Sequence, residues 1–163
     1  MVQIRLAQAA DLPFLEIVEQ HYFQLGFIGF DSHDVHLARM ANPENAYYII
    51  ESEGKPEGFV ILTGLHSRDR SILVKRVAVQ VPGRGTGREA LRLVVKLAFH
   101  EHRAHRVWLD VYVENERARR TYRALGFVEE GVTRESTWDG QRYRSLVLMS
   151  ILEQEVAGTG VET

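Results

Sequence analysis

Residues 81–96 read VPGRGTGREALRLVVK and place Gly83, Gly85 and Gly87 at alternate positions, directly before a strongly helical run. A glycine turn lets successive backbone N–H groups converge on one concavity. The helix that follows adds its own unpaired N–H groups and the positive end of its dipole. Such a cradle, here Gly83, Arg84, Gly85, Thr86, Gly87 and Arg88, suits a pyrophosphate and needs few basic side chains. Arg84 and Arg88 stand at its rim. Two familiar phosphate loops do not fit. A Walker A loop needs Lys and then Ser or Thr after its last glycine, and none follows Gly87. A dinucleotide fingerprint spaces its glycines G-x-G-x-x-G within a series of βαβ units. The spacing here is G-x-G-x-G, and although Asp110 mimics the ribose-binding acid of that fold, the chain offers one βαβ unit among hairpins.

A second constellation is NERARRTYRALGF, residues 115–127. Asn115 and Tyr122 are seven apart, so two helical turns place them on one face. Tyr122 is either a half-buried packing residue or a phenol offered to a ligand. Asn115 is either a helix cap or a ligand donor. The basic run ERARRTYR is a solvated face, or meets a phosphate through Arg119 or Arg120. His100, His102 and His105 cluster at a helix end without the carboxylates and spacing of a metal site, so no metal is expected. Trp108 and Trp138 read as packing residues. The loop YFQLGFIGF is either a binding lid or core aromatics.

Positioning these groups requires a particular set of elements. VQIRLA alternates as a first strand. Asp11 is expected to cap a helix that carries Pro13 in its first turn and buries Phe14, Leu15, Ile17, Val18 and Tyr22. Asp31 or Ser32 caps a second short helix through Met40. AYYIIES and EGFVILTG form a hairpin around EGKP, and SILVKRVAV is a strand rich in β-branched residues. The helix after the glycine turn buries Leu91, Val94, Val95, Ala98 and Phe99, on the i, i+3, i+4, i+7, i+8 pattern. RVWLDVYV is a buried strand, and ERARRTYRALG a helix closed by Gly126 at C′. FVEEGVTRESTW and RYRSLVLMSIL form a last hairpin around DGQ. The order is β-α-α-β-β-β-α-β-α-β-β, a mixed α/β domain over residues 1–155. Residues 156–163, small and polar from Ala157, are expected to fray.

The 163 residues bury one core, and the net charge of −2 gives no basic field for nucleic acid. There are no cysteines, which excludes disulfides and a thiol nucleophile and fits a reducing cytosol. No apolar run reaches the roughly 20 residues of a membrane span. MVQIRLAQAADLP lacks the apolar core of a signal peptide. A cytoplasmic protein is expected, without nucleic acid or membrane as partner.

Taken together, the glycine turn, the next strand and the N-x-x-A-x-x-x-Y-x-x-x-G-F segment (Asn115, Ala118, Tyr122, Gly126, Phe127) resemble the GNAT superfamily of acetyl-CoA-dependent N-acetyltransferases. The likeness runs over about residues 2–153, and the last hairpin resembles branches that acetylate polyamines or protein N-termini. The family turn, Q/R-x-x-G-x-G/A, meets Pro82 at its first position if Gly85 and Gly87 are its glycines. Starting at Arg84 restores the basic residue but puts Glu89 where Gly or Ala stands. The resemblance implies a mostly antiparallel central sheet, splayed as a V between strands 4 and 5 and flanked by about four helices.

It further implies acetyl-CoA as cosubstrate, its pantetheine paired with backbone at Val77, Ala78 and Val79 and its pyrophosphate on Gly83–Arg88. Asn115 and Arg119 would contact it, the Val79 N–H would polarise the thioester, and Tyr122 would protonate the departing thiolate. The acceptor is a small-molecule or peptide primary amine. Glu51, Glu53, Asp110, His33, His36 or a water chain stand as the base. A catalytically silent acyl-CoA-binding module is the alternative. A homodimer through the exposed last hairpin is possible.

Overall fold

The computed structural model describes residues 1–158, and residues 159–163, within the stretch expected to fray, lie outside the described residues. The strands are β1 (Val2–Leu6), β2 (Asn45–Ser52), β3 (Lys55–Thr63), β4 (Ser71–Val79), β5 (Arg106–Tyr112), β6 (Val128–Trp138) and β7 (Tyr143–Leu152). The helices are α1 (Leu12–Gln24), α2 (His33–Ala41), α3 (Thr86–His100) and α4 (Glu116–Ala124). One sheet runs β1-β2-β3-β4-β5-β7-β6, antiparallel except between β4 and β5. No described helix is long and apolar enough to cross a membrane.

The β4–β5 pairing decides the shape of the molecule. It consists of Ser71↔Arg106, Ile72↔Val107 and Leu73↔Trp108, and then stops. Both strands continue past that point, so their C-terminal halves part as a V with unpaired backbone on its inner edges. On its other side β4 pairs with β3, and the register slips between Ile61↔Arg76 and Leu62↔Val74. Lys75 is therefore the extra residue of a β-bulge. The bulge reverses the alternation along β4. Ile72, Val74, Val77 and Val79 all join the core under α3, whereas Ala78 joins the core under α1. A strict two-residue period would have split the first four between the two faces.

α3 buries Ala90, Leu91, Val94, Val95 and Ala98. A large aliphatic side chain removed from water contributes about 1.5–3 kcal/mol, so this face anchors the helix whose N-terminus forms the glycine turn. Phe99 is only partly buried. α1 presents Leu12, Leu15, Val18 and Glu19 inward, and Ile17, expected in the core, is 68% exposed on the opposite side. Asp11 stands at the N-cap position of α1, but its side chain makes no cap bond to that helix. It closes a preceding 3₁₀ turn (Ala9–Asp11), where its carboxylate accepts from the Gln8 N–H at 2.8 Å and from Arg5 at 2.9 Å. Ser32 caps α2 by accepting from Val35 N–H, which leaves Asp31 free for ion pairing. Trp138, expected to pack inside, is 57% exposed and lies edge to face with the partly exposed Tyr143 at 5.0 Å. Residues 153–158 close the described chain as a 3₁₀ turn.

Candidate active site

The inner edge of β4 can be read from its outer one. Gln80 donates its N–H to the Glu57 carbonyl on β3. Backbone groups alternate sides along a strand, so Ala78 also faces β3 while the N–H and C=O groups of Val77 and Val79 face the V. Two observations agree. The Val79 carbonyl accepts from the Tyr22 hydroxyl of α1 at 2.7 Å. A Cβ on Gly58, the partner of Val79 on β3, would lie 2.2 Å from the Ala78 carbonyl oxygen. Gly58 thus allows β3 and β4 to close tightly and leaves the Val77 and Val79 donors turned outward.

The glycine turn sits beyond the end of β4. Gly83 and Gly85 have φ of +90° and +79°, the left-handed region that favours glycine. Gly85 is the N-cap of α3, Thr86 its buried first residue, and Gly87 rests on the Val79 side chain. Arg84 and Arg88 are exposed at the rim. Glu89 opens no gap in the cradle's charge, because Arg92 holds it at 2.7 and 3.0 Å and keeps its carboxyl below the usual range.

The cation that reaches the turn is one that sequence reasoning passed over. A Cβ on Gly83 would stand 3.4 Å from the Arg117 guanidinium of α4, whose charge also acts on the Tyr22 phenol. Among the described residues Arg117 has no ion-pair partner. Arg119, expected at the cofactor, instead donates to the Val113 carbonyl, Glu116 and Glu129. It fastens α4 to β6. Arg120 is exposed. Only a three-dimensional arrangement distinguishes these arginines, since all three lie in one basic run.

Across the V, Asn115 is the N-cap of α4, and its side chain accepts from Ala118 N–H at 3.2 Å. The cap is its role in this structure. Tyr122 packs against the core and lies 6.1 Å from Phe127, ring to ring. Burial, with a smaller push from the Asp110 charge, lifts its phenol to about 12, so it stays protonated at any ordinary pH.

Of the expected bases, Glu51 is bound by Arg5 at 2.7 Å and Glu53 by the N-terminal ammonium. His33 pairs with Glu16. His36 is fully buried between Glu19 and Tyr47, at 2.8 and 2.7 Å. Asp110 differs. Its neighbours Leu109 and Val111 point into the core, so it points the other way, to the face shared with α1 and α2. Its side chain reaches solvent, and partial desolvation between the arms of the V raises its pKa, with Lys75 opposing.

On that same face, Phe23 and Gln24 at the end of α1 and Gly26 and Ile28 of the α1–α2 connection meet Tyr112, Asp139, Gln141 and Arg144 around a cavity of about 230 Å³. The Arg144 guanidinium lies 3.8 Å over the Tyr112 ring and reaches Gly26, Asp139 and Glu114. The loop read as lid or core is therefore a wall of this cavity, with Phe27 and Phe30 left partly exposed. A larger hollow of about 600 Å³ lies along the outer side of α1, where Ile17 is exposed; Gln24, Phe30 and the His33–Glu16 pair line it, and the glycine turn, Tyr122 and Asp110 do not. The histidines 102 and 105 bond separately to Tyr48 and Glu153, and no group of three metal-ligating side chains occurs among the described residues.

Residues 6–127 match the model of the Acetyltransferase (GNAT) family. The chain belongs to that family. It is similar to the spermidine N(1)-acetyltransferase of Escherichia coli K12, 22% identical over 162 residues, covering 94% of this chain and 87% of the relative. The Vibrio cholerae spermidine N(1)-acetyltransferase is 28% identical over 115 residues, covering 70% and 66%. A crystal structure of the V. cholerae enzyme with CoA and spermine superposes with a TM-score of 0.83 at 22% identity, covering 96% and 98%. Another neighbour from that organism was solved with manganese ions. The chain is an N-acetyltransferase that takes its acetyl group from acetyl-CoA. The outward Val77 and Val79 backbone and the glycine turn with Arg117 at its edge fit that cosubstrate.

Proposed function

We propose that this N-acetyltransferase acts on the primary amine of a small polyamine-type acceptor, bound on the α1–α2 face of the V. The observation that carries the reading is the V itself, with strand-like donors on one arm and a protonated phenol on the other. Val77 and Val79 hydrogen-bond the pantetheine as an added strand would. The cosubstrate enters from the glycine turn and meets Val79 before Val77, so the Val77 N–H, nearer the vertex, takes the role expected of the Val79 N–H and stabilises charge that develops on the thioester oxygen. Gly83–Arg88 receive the pyrophosphate. The acceptor nitrogen attacks the acetyl carbon directly, the C–S bond breaks, Tyr122 donates to the thiolate, and the proton that the nitrogen sheds as the amide forms restores the phenol. Asp110, Glu114 and Asp139 put carboxylates along the acceptor face, and the relatives similar over most of this chain are named for spermidine. The test is CoA release with spermidine, a peptide with a free N-terminus and an amino acid, each at equal concentration. Spermidine is expected to be the best acceptor. A better peptide would move the acceptor class to protein N-termini. Binding of acetyl-CoA without turnover on any amine would make the chain a silent acyl-CoA-binding module.

Asp110 takes the proton that an alkylammonium must lose before attack. Its pKa is raised, so its basic form is lost at a higher pH than for an ordinary carboxylate. Activity is expected to fall as pH drops through that raised value. A pH profile of kcat/KM for Asp110→Asn should lack this acidic limb and run roughly 100-fold lower. An unchanged profile would leave the proton to water.

Arg117 meets a phosphate of acetyl-CoA. A charge-assisted bond of this kind, discounted for solvent, is worth about 1.4 kcal/mol, or tenfold in affinity. Arg117→Ala is expected to raise the acetyl-CoA Kd roughly tenfold by calorimetry, with kcat nearly unchanged, while Arg120→Ala has no effect. Repeating the titration with 3′-dephospho-CoA separates the 3′-phosphate from the pyrophosphate, because only contact with the former makes the two proteins equal.

A further inference from the structure

Lys75 is the bulged residue of β4. Counting from Leu73↔Trp108, the last β4–β5 pair, Lys75 is level with Asp110 just where the two strands part. The charges that act on its side chain are Arg39 of α2, Arg76 of β4, Asp31 of the connection before α2, and Asp110 of β5. It therefore lies at the vertex of the V, on the acceptor face. It is half-buried, and no carboxylate lies within ion-pair distance of it among the described residues. A cosubstrate seated with its pyrophosphate at Gly83–Arg88 and its pantetheine on Val79 and then Val77 runs down β4 toward this vertex, so its acyl end arrives next to Lys75. Burial and two neighbouring guanidinium groups lower the Lys75 pKa, which enlarges the neutral, nucleophilic fraction of its amine.

We propose that Lys75 is itself an acetyl acceptor, a self-acetylation site at the vertex of the V. The inference rests on the placement of acetyl-CoA given above. The Lys75 Nζ–acetyl bond forms as the C–S bond breaks. The ammonium proton passes through solvent to Asp110 before attack, and the second proton, shed by the nitrogen as the amide forms, restores the Tyr122 phenol as that hydroxyl passes its own to the departing thiolate. The product is acetyl-Lys75 and free CoA. The modification removes one cation from beside Arg39 and Arg76 and places an amide where the acceptor amine enters, so it lowers turnover of external amines when these are scarce.

The chain has only three lysines, Lys55, Lys75 and Lys96, so the site is readily mapped. The purified full chain is incubated with acetyl-CoA and no acceptor, and its peptides are examined by mass spectrometry. The expected result is one acetyl group on Lys75, formed at a rate that saturates with acetyl-CoA, absent in Lys75→Arg and at least about tenfold slower in Tyr122→Phe. Preferential labelling of Lys55 or Lys96, or an equal rate at Lys75 in Tyr122→Phe, would overturn the proposal, since both mark uncatalysed acylation. Turnover of spermidine with Lys75 unmodified overturns it while the activity on external amines stands. No turnover and no labelling removes the cosubstrate from the V and the proposal with it.

Discussion

Tyr122→Phe is expected to lower kcat by about 10²–10³ while the acetyl-CoA Kd stays within about twofold. A side-chain acid contributes roughly 10²–10⁴ in rate, and the environment of this phenol decides where in that range it falls. Burial lifts it to about 12, whereas an ordinary thiol titrates near 8.5. Complete transfer from phenol to thiolate is therefore uphill by about 3.5 pKa units, or about 5 kcal/mol. What the phenol supplies is a short hydrogen bond to sulfur as charge develops, which needs only part of that transfer. The same shift rules out a role as base, since phenolate is negligible below pH 10. Phenylalanine keeps the ring against Phe127 and removes one oxygen, so folding and cofactor affinity are preserved. Single-turnover acetyl transfer to spermidine measures the chemical step directly. A rate within threefold of the parent would remove Tyr122 from the reaction.

The backbone frame of this site is legible in the residues. β4 matches SILVKRVAV at both ends, Gly85 and Gly126 take the left-handed conformations that a turn and a helix end require, and the order of elements matches the expected one. What escapes is whatever depends on contacts across the chain. The bond from Tyr22 to the Val79 carbonyl joins residues 57 apart. The bulge at Lys75 carries no glycine or proline to announce it, yet it determines which face Arg76, Val77 and Val79 occupy. Arg117 and Arg119 are equivalent in pattern, and only the positions of Glu129 and Gly83 assign one to structure and the other to the cradle. Glu19 did carry a signal. It stands four residues after Leu15 and seven after Leu12, on the apolar stripe of α1, where a charged side chain implies a buried partner.

That partner set makes Glu19→Ala the variant with the largest expected effect on stability. Glu19 is fully buried and accepts from His36 at 2.8 Å, from Arg76 at 2.8 Å and from the Asp31 N–H at 3.1 Å. Asp31 in turn accepts from Arg76 and Arg39, and Tyr47 meets His36 and Arg39. The network ties α1, α2 and the wall of the acceptor cavity to β2 and to the bulged stretch of β4. Removing one member of a buried charged group costs about 3–5 kcal/mol, because the remaining charge stays desolvated without its partner. Arg76 keeps Asp31 in the variant, which places the loss near the lower end, about 3 kcal/mol, or roughly 6–12 °C in Tm for a chain of this size. Urea unfolding would show the midpoint fall with little change in slope. Glu19→Gln retains the shape and some of the hydrogen bonds and should lose less. A loss below 1 kcal/mol in Glu19→Ala would show that the network contributes orientation without net stability. In that case the KM for the amine, whose cavity wall the network holds against β4, should rise even though the fold stays firm.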